Sequence, residues 1–192
     1  MTERAEIPVL TFASPREWER WLEKHYTDPN GIWLKFARVG VGIASINHAE
    51  ALDPAICFGW IDGQTRSIDP QYWMQRFAPR RPRSKWSKVN CAKALQFIKA
   101  GAMRPAGLAE VERAQADGRW AAAYDAPSAA KVPPDLQAAF DKHPQAAKFF
   151  AELDGRNRYA ILHRLQDAKK PETRVRRLAK FVAMLEAGEK IH

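Results

Sequence analysis

Strand-like alternation in this chain stops close to residue 80, and that change restricts it to an α+β layout followed by helices. Before it, Ile32 to Val39 alternates, with Ile32, Leu34 and Phe36 on one face and Trp33, Lys35 and Ala37 on the other, which predicts a half-buried strand. Ile7 to Phe12, Trp60 to Ile68 and Tyr72 to Phe77 are expected as strands too, the last two joined by a turn at Asp69-Pro70. Between them lie two capping-box signatures. Ser14-Pro15-Arg16-Glu17 opens a helix to about Tyr26 with Trp18, Trp21 and Leu22 on one stripe, and Asn47 with Glu50 opens a second that Gly59 stops. The predicted order is β-α-β-α-β-β.

Beyond the change every apolar pattern is helical. Ser84 or Ser87 is placed to cap a helix carrying Cys91, Leu95, Phe97 and Ile98, and Pro105 starts the next, closed by Gly118. Helices are then expected over Pro134 to Lys142, Pro144 to Leu153, Asn157 to Ala168 and Pro171 to Ala187. The expected fold class is α+β: a small amino-terminal mixed sheet with two helices, followed by an all-α bundle. The expected domains are an α+β domain over 1–83, bridging helices over 84–120, a Pro- and Ala-rich linker over 121–133, and a helical domain over 134–192.

Composition removes several function classes. In 192 residues, 46% hydrophobic with seven Trp and nine Phe, there is enough apolar surface for a packed core. No apolar run approaches the ~20 residues of a membrane span, and MTERAEIPVL lacks the basic and long apolar regions of a secretory signal, so the expected compartment is cytoplasmic. Cys57 and Cys91 stand alone and the five His show no ligand spacing, so neither a metal nor another cofactor is expected. Phosphate-cradling glycine loops, G-x-S-x-G and dinucleotide fingerprints are absent, and no catalytic residue can be named.

Charge is the informative quantity. The net +9 divides into −3 over 1–75, +9 over 76–104, −2 over 105–153 and +5 over 154–192. The stretch QRFAPRRPRSKWSKVN gathers Arg76, Arg80, Arg81, Arg83, Lys85 and Lys88 with no acid among them. Pro79 and Pro82 hold their predecessors extended, and the segment runs into a helix start at Ser84 or Ser87, near Asn90. Backbone N–H groups, guanidinium forks and the Trp86 face make this the candidate anion site; the bland alternative is a basic connector paired with the acidic amino-terminal part. On the preceding strand, Trp60, Asp62, Gln64 and Arg66 share a face by strand parity and would form a polar pocket, unless Asp62-Gly63 is a bulge. In the last helix, Arg174, Arg176, Arg177 and Lys180 are expected to cover the solvated face.

GWIDG (Gly59–Gly63), YWMQRFAPRRPRSKWSKVN (Tyr72–Asn90) and NRYAILHRLQDAKKPETRVRRL (Asn157–Leu178) resemble the YdeI/OmpD-associated, bacteriocin-protection family and its helical OmdA-type domain. The positions carried by that likeness are Trp60, Asp62, Arg76, Phe77, Pro79, Arg80, Ser84, Trp86, Ser87 and Asn90. The resemblance implies a part in tolerance of bacteriocins or cationic antimicrobial peptides, for some members linked to an outer-membrane porin and a predicted periplasmic location, and it supplies no catalytic residues. A chain at +9 repels a cationic peptide in the far field, which points to an indirect role.

Three functions follow as expectations. The first is a non-enzymatic binding or stress-protection protein holding an anionic ligand such as phosphate, or a protein partner, at the basic stretch. The second is nucleic-acid binding through the two basic segments. The third is an enzyme with a pocket between Trp60, Asp62, Arg66 and the basic stretch.

Overall fold

The computed structural model describes residues 6–192. Residues 1–5, which open both the first expected domain and the MTERAEIPVL stretch, lie outside the described residues. The chain divides into two compact units, one running to Trp86 and resuming over Asn90–Ala122, the other made of Ser87–Val89 and Ala123–His192.

The first unit is built on a four-stranded sheet of β1 (Val9–Leu10), β2 (Ile32–Ala37), β3 (Trp60–Ser67) and β4 (Tyr72–Pro79) in the order β1-β2-β4-β3. β1 runs parallel to β2, and β2 and β3 flank β4 antiparallel. The opening strand is shorter than Ile7 to Phe12 predicts, because only Val9 and Leu10 stand in ladder register, against Trp33 and Leu34. The alternation in β2 places Ile32, Leu34 and Phe36 on the same side as Phe77, Gln75 and Trp73 of β4.

Helices α1 (Pro15–His25) and α2 (His48–Cys57) cover that side. The Ser14 hydroxyl accepts from Glu17 N, and Asn47 and Glu50 close a reciprocal capping box, each satisfying amide groups that a helix start leaves bare. Trp18 meets Trp60 and Phe77 edge-on at 6.1 and 6.0 Å, and all three rings are fully buried.

Helices α3 (Lys88–Lys99) and α4 (Pro105–Ala116) complete this part of the chain, with Lys88 and Val89 belonging to the second unit. α4 sits against the end of α2 at contact distance: a Cβ on Gly107 would lie 2.2 Å from the Cys57 carbonyl oxygen. Only glycine admits that approach. Cys57 and Cys91 are free and buried. Burial pushes each thiol up to about 11.

The second unit holds α5 (Pro134–Lys142), α6 (Pro144–Glu152), α7 (Gly155–Gln166) and α8 (Pro171–Glu186). Leu136, Phe140, Phe150, Ile161, Phe181 and Leu185 are among the buried side chains of its core, at the helical spacings seen in the sequence. Among the described residues no helix is long and apolar enough to cross a membrane.

Candidate functional site

The basic stretch separates into two kinds of arginine. Arg76, on β4, turns its guanidinium back into the fold, where it donates to the carbonyls of Ile32 and Phe77 at 2.8 Å each and to that of Asn30. Burial lowers its pKa, the nearby positive charge of Arg81 lowers it further, and Asp28 opposes both. Arg80 is 5% exposed. Its guanidinium lies 3.5 Å over the Trp86 ring and donates to the Lys85 carbonyl at 3.0 Å. Its own amide extends the sheet by bonding to the Gly59 carbonyl.

Arg81 and Arg83 are exposed, and neither has an ion-pair partner among the described residues. They flank a turn locked from both ends: Ser84 N donates to the Arg81 carbonyl at 2.8 Å and Arg81 N donates to Ser84 Oγ at 2.8 Å. Ser84 therefore closes a turn instead of capping a helix, since its hydroxyl is already committed four residues before α3 begins. Ser87 is the residue next to α3, and it joins Tyr124 in a short parallel bridge of the second unit. Ser87 and Asn90 are both buried, whereas Lys85 is exposed. Lys88 pairs with Asp125 at 2.7 Å in the second unit.

The ring of Trp86 is 1% exposed and packs 5.0 Å from Trp120. It is a core side chain of the first unit, not the open platform expected from the sequence. Beside it, Arg119 donates to the Ser84 carbonyl at 2.8 Å and to Asp117. Trp86 Nε1 and Arg119 Nη2 are buried and have no hydrogen-bond partner among the described residues, so donors outnumber acceptors around residues 84–86.

On β3 the bulge that the sequence offered as the alternative is present, and Trp60, Asp62, Gln64 and Arg66 do not share one face. Asp62 pairs with Phe77 and Thr65 with Gln75, so one extra residue is inserted between them. That bulge reverses the parity of everything after it. Asp62 stays on the helix-covered face with Trp60, while Arg66 passes to the opposite face, where its guanidinium lies 4.4 Å over Trp33.

Asp62 instead has partners that no local sequence pattern indicated. His48 Nε2 stands 3.1 Å from Asp62 Oδ2, and Gln75 Nε2 donates to the same oxygen at 2.9 Å and to the Gly63 carbonyl at 3.2 Å. The pair is half-buried. The imidazole comes from the first residue of α2, 14 positions upstream; the only local hint was that the Asn47 cap places residue 48 at a helix start. An imidazole oriented by a carboxylate can accept and pass a proton. Among the described residues, groups of three or more His, Cys, Asp or Glu placed to hold a metal ion are absent.

The second basic segment is more fully engaged than a solvated face predicts. Arg174 forks onto both carboxylate oxygens of Asp135 at 2.6 and 2.8 Å and donates to the Leu165 carbonyl at 2.7 Å. This holds the Asp135 carboxyl below its usual range and the Arg174 guanidinium above its own. Arg177 donates to the Arg164 carbonyl at 2.6 Å and approaches Asp167 at 4.0 Å. Arg176 and Lys180 are exposed, as expected. On α7 the Tyr159 and His163 rings lie 5.5 Å apart, and the Tyr159 hydroxyl donates to the Asp125 carbonyl.

Two family models match this chain. Residues 10–110 match a domain of unknown function, DUF8412, and residues 129–188 match the family described as bacteriocin-protection, YdeI or OmpD-associated. The first spans the Gly59–Gly63 and Tyr72–Asn90 motifs, the second the Asn157–Leu178 motif. No curated protein and no solved structure matches the chain. The protein belongs to the DUF8412 family over its first part and carries, at its carboxyl-terminal end, a domain of the bacteriocin-protection, YdeI or OmpD-associated family.

Proposed function

We propose that this chain is a non-enzymatic binding protein of the bacteriocin-protection type, and that it acts by holding an anionic ligand at the turn of Arg81 and Arg83. The observation that carries the reading is the contrast within one stretch of chain. Arg76 and Arg80 are spent on the fold, whereas Arg81 and Arg83 stand exposed on a turn fixed by Ser84. A fixed turn lowers the ordering cost of gripping a phosphate or carboxylate with two guanidinium forks. The excess of buried donors at Trp86 and Arg119 adds to the positive potential there. The net +9 favours an anion over a cationic peptide as the direct ligand, so protection would come indirectly.

The test is a titration of the full chain with inorganic phosphate and with a phosphate-bearing nucleotide at two ionic strengths, alongside Arg81→Ala/Arg83→Ala. Saturable binding that weakens with salt and drops at least tenfold in the double variant is expected. Binding unmoved by both salt and the variant overturns the reading.

A further inference from the structure

The two faces of the sheet are unlike. α1 and α2 cover one. By register the other carries Trp33 and Lys35 from β2, Tyr72, Met74 and Arg76 from β4, and Arg66 from β3. All of these except Trp33 are half-buried or exposed, and among the described residues no carboxylate occupies a register position on this face.

Of its three cations, Arg76 is held by backbone carbonyls and the other two lie on rings. The Arg66 guanidinium lies 4.4 Å over Trp33 and reaches it across β4, and the Lys35 ammonium lies 4.2 Å over Tyr72. Trp33 faces Arg76 and Tyr72 faces Ala37, so the two stacks are four residues apart along β2, about 13 Å at ~3.3 Å per residue. A single phosphate cannot touch both. A polymer that alternates planar rings with negative charge can.

We propose that this open sheet face binds single-stranded nucleic acid, with bases lying against the Arg66–Trp33 and Lys35–Tyr72 stacks and phosphates drawn by the same two cations. The chemistry favours a single strand because bases in a duplex are stacked on each other and a flat sheet enters neither groove. It favours nucleic acid over an acidic peptide because the acceptor surfaces are planar as well as positive. The contacts go to ring faces and phosphates, so little base preference follows. This inference is independent of the anion turn, since Lys35 and Arg66 lie on the sheet and Arg81 and Arg83 do not.

Fluorescence anisotropy with a labelled pyrimidine oligonucleotide of about 12 nucleotides, as single strand and as duplex, tests it on the full chain. The single strand is expected to bind more tightly than the duplex. Lys35→Ala/Arg66→Ala is expected to weaken single-strand binding at least tenfold and to flatten the dependence of log affinity on log salt by about 1.4, or ~0.7 per lost phosphate contact. Arg81→Ala/Arg83→Ala and Arg176→Ala/Lys180→Ala should change it less than threefold. Because Arg66 shields Trp33, ultraviolet cross-linking of the unaltered chain is the second measurement, with cross-linked peptides expected from β2 and β4. Cross-links confined to α7 and α8, a preference for duplex, or affinity that ignores Lys35→Ala/Arg66→Ala each overturn the proposal. If oligonucleotide binding falls only in Arg81→Ala/Arg83→Ala, the sheet-face site is wrong and the anion turn survives. If phosphate binding fails at the turn while the sheet variant still loses the oligonucleotide, the reverse holds.

Discussion

The two basic segments, at net +9 and +5, differ in what holds their arginines. In the first, Arg76 is gripped by three backbone carbonyls and Arg80 by an indole face and a carbonyl. In the second, Arg174 is gripped by a carboxylate contributed from another helix. Carbonyls cannot be titrated away, whereas the carboxylate can. The difference separates cations that belong to the fold at any pH from cations whose contribution depends on it. It also sets apart exposed cations such as Arg81 and Arg83 in one segment and Arg176 and Lys180 in the other.

The largest effect should follow the loss of Trp86. Trp86→Ala removes a fully packed ring and the surface under Arg80, and should cost about 3–5 kcal/mol. Urea unfolding followed by tryptophan emission checks it cleanly, because all seven Trp lie in the first unit. A loss under about 1 kcal/mol would show that the stack is ornamental. Arg76→Ala comes next, at about 2–3 kcal/mol, since it strands partly buried carbonyls; Arg76→Lys should restore less than half, because an ammonium lacks the fork. Recovery by lysine would mean that charge, not geometry, holds the site.

In the second unit Arg174→Ala should cost about 1 kcal/mol at neutral pH. Asp135 has a lowered pKa in the folded state, so the pair's contribution is present above the ordinary carboxylate pKa near 4 and disappears as pH falls through the depressed value. Circular dichroism melts at pH 7 and pH 2.5 should therefore show a smaller deficit for the variant at the lower pH. An equal deficit at both would assign the effect to packing. Arg81→Ala/Arg83→Ala should move unfolding by less than about 0.5 kcal/mol, and a larger shift would mean that the turn arginines are structural after all. Smallest of all, with thiol pKa values of about 11, only about one Cys in a thousand is thiolate at pH 8, so a maleimide should label Cys57 and Cys91 only after denaturant is added.

Much of the fold was legible because its signals are local. The caps at Ser14 and Asn47, the alternation in β2 and the helical stripes of α5 to α8 are each decided within one or two turns of chain, and they appear where the pattern places them. Most of the site was not, because its geometry depends on pairing at a distance. The bulge after Asp62 is set by register against β4, and it moved Arg66 to the far face and left Asp62 with His48. The Trp33–Arg66 stack joins residues 33 positions apart in the chain through a strand order that skips from β2 to β4. Ser84 looked like a helix cap because hydroxyls favour caps and turns for the same reason, a side-chain oxygen within reach of nearby amides.

By itself the sequence determined where the periodicity changes, where helices start, and where charge is concentrated, since these follow from backbone geometry and side-chain chemistry over a few residues. Which cations are free was decided only by the tertiary structure. A guanidinium is spent or available according to the carbonyls, rings and carboxylates that the folded chain brings within about 3 to 4 Å of it, and those come from segments remote in sequence.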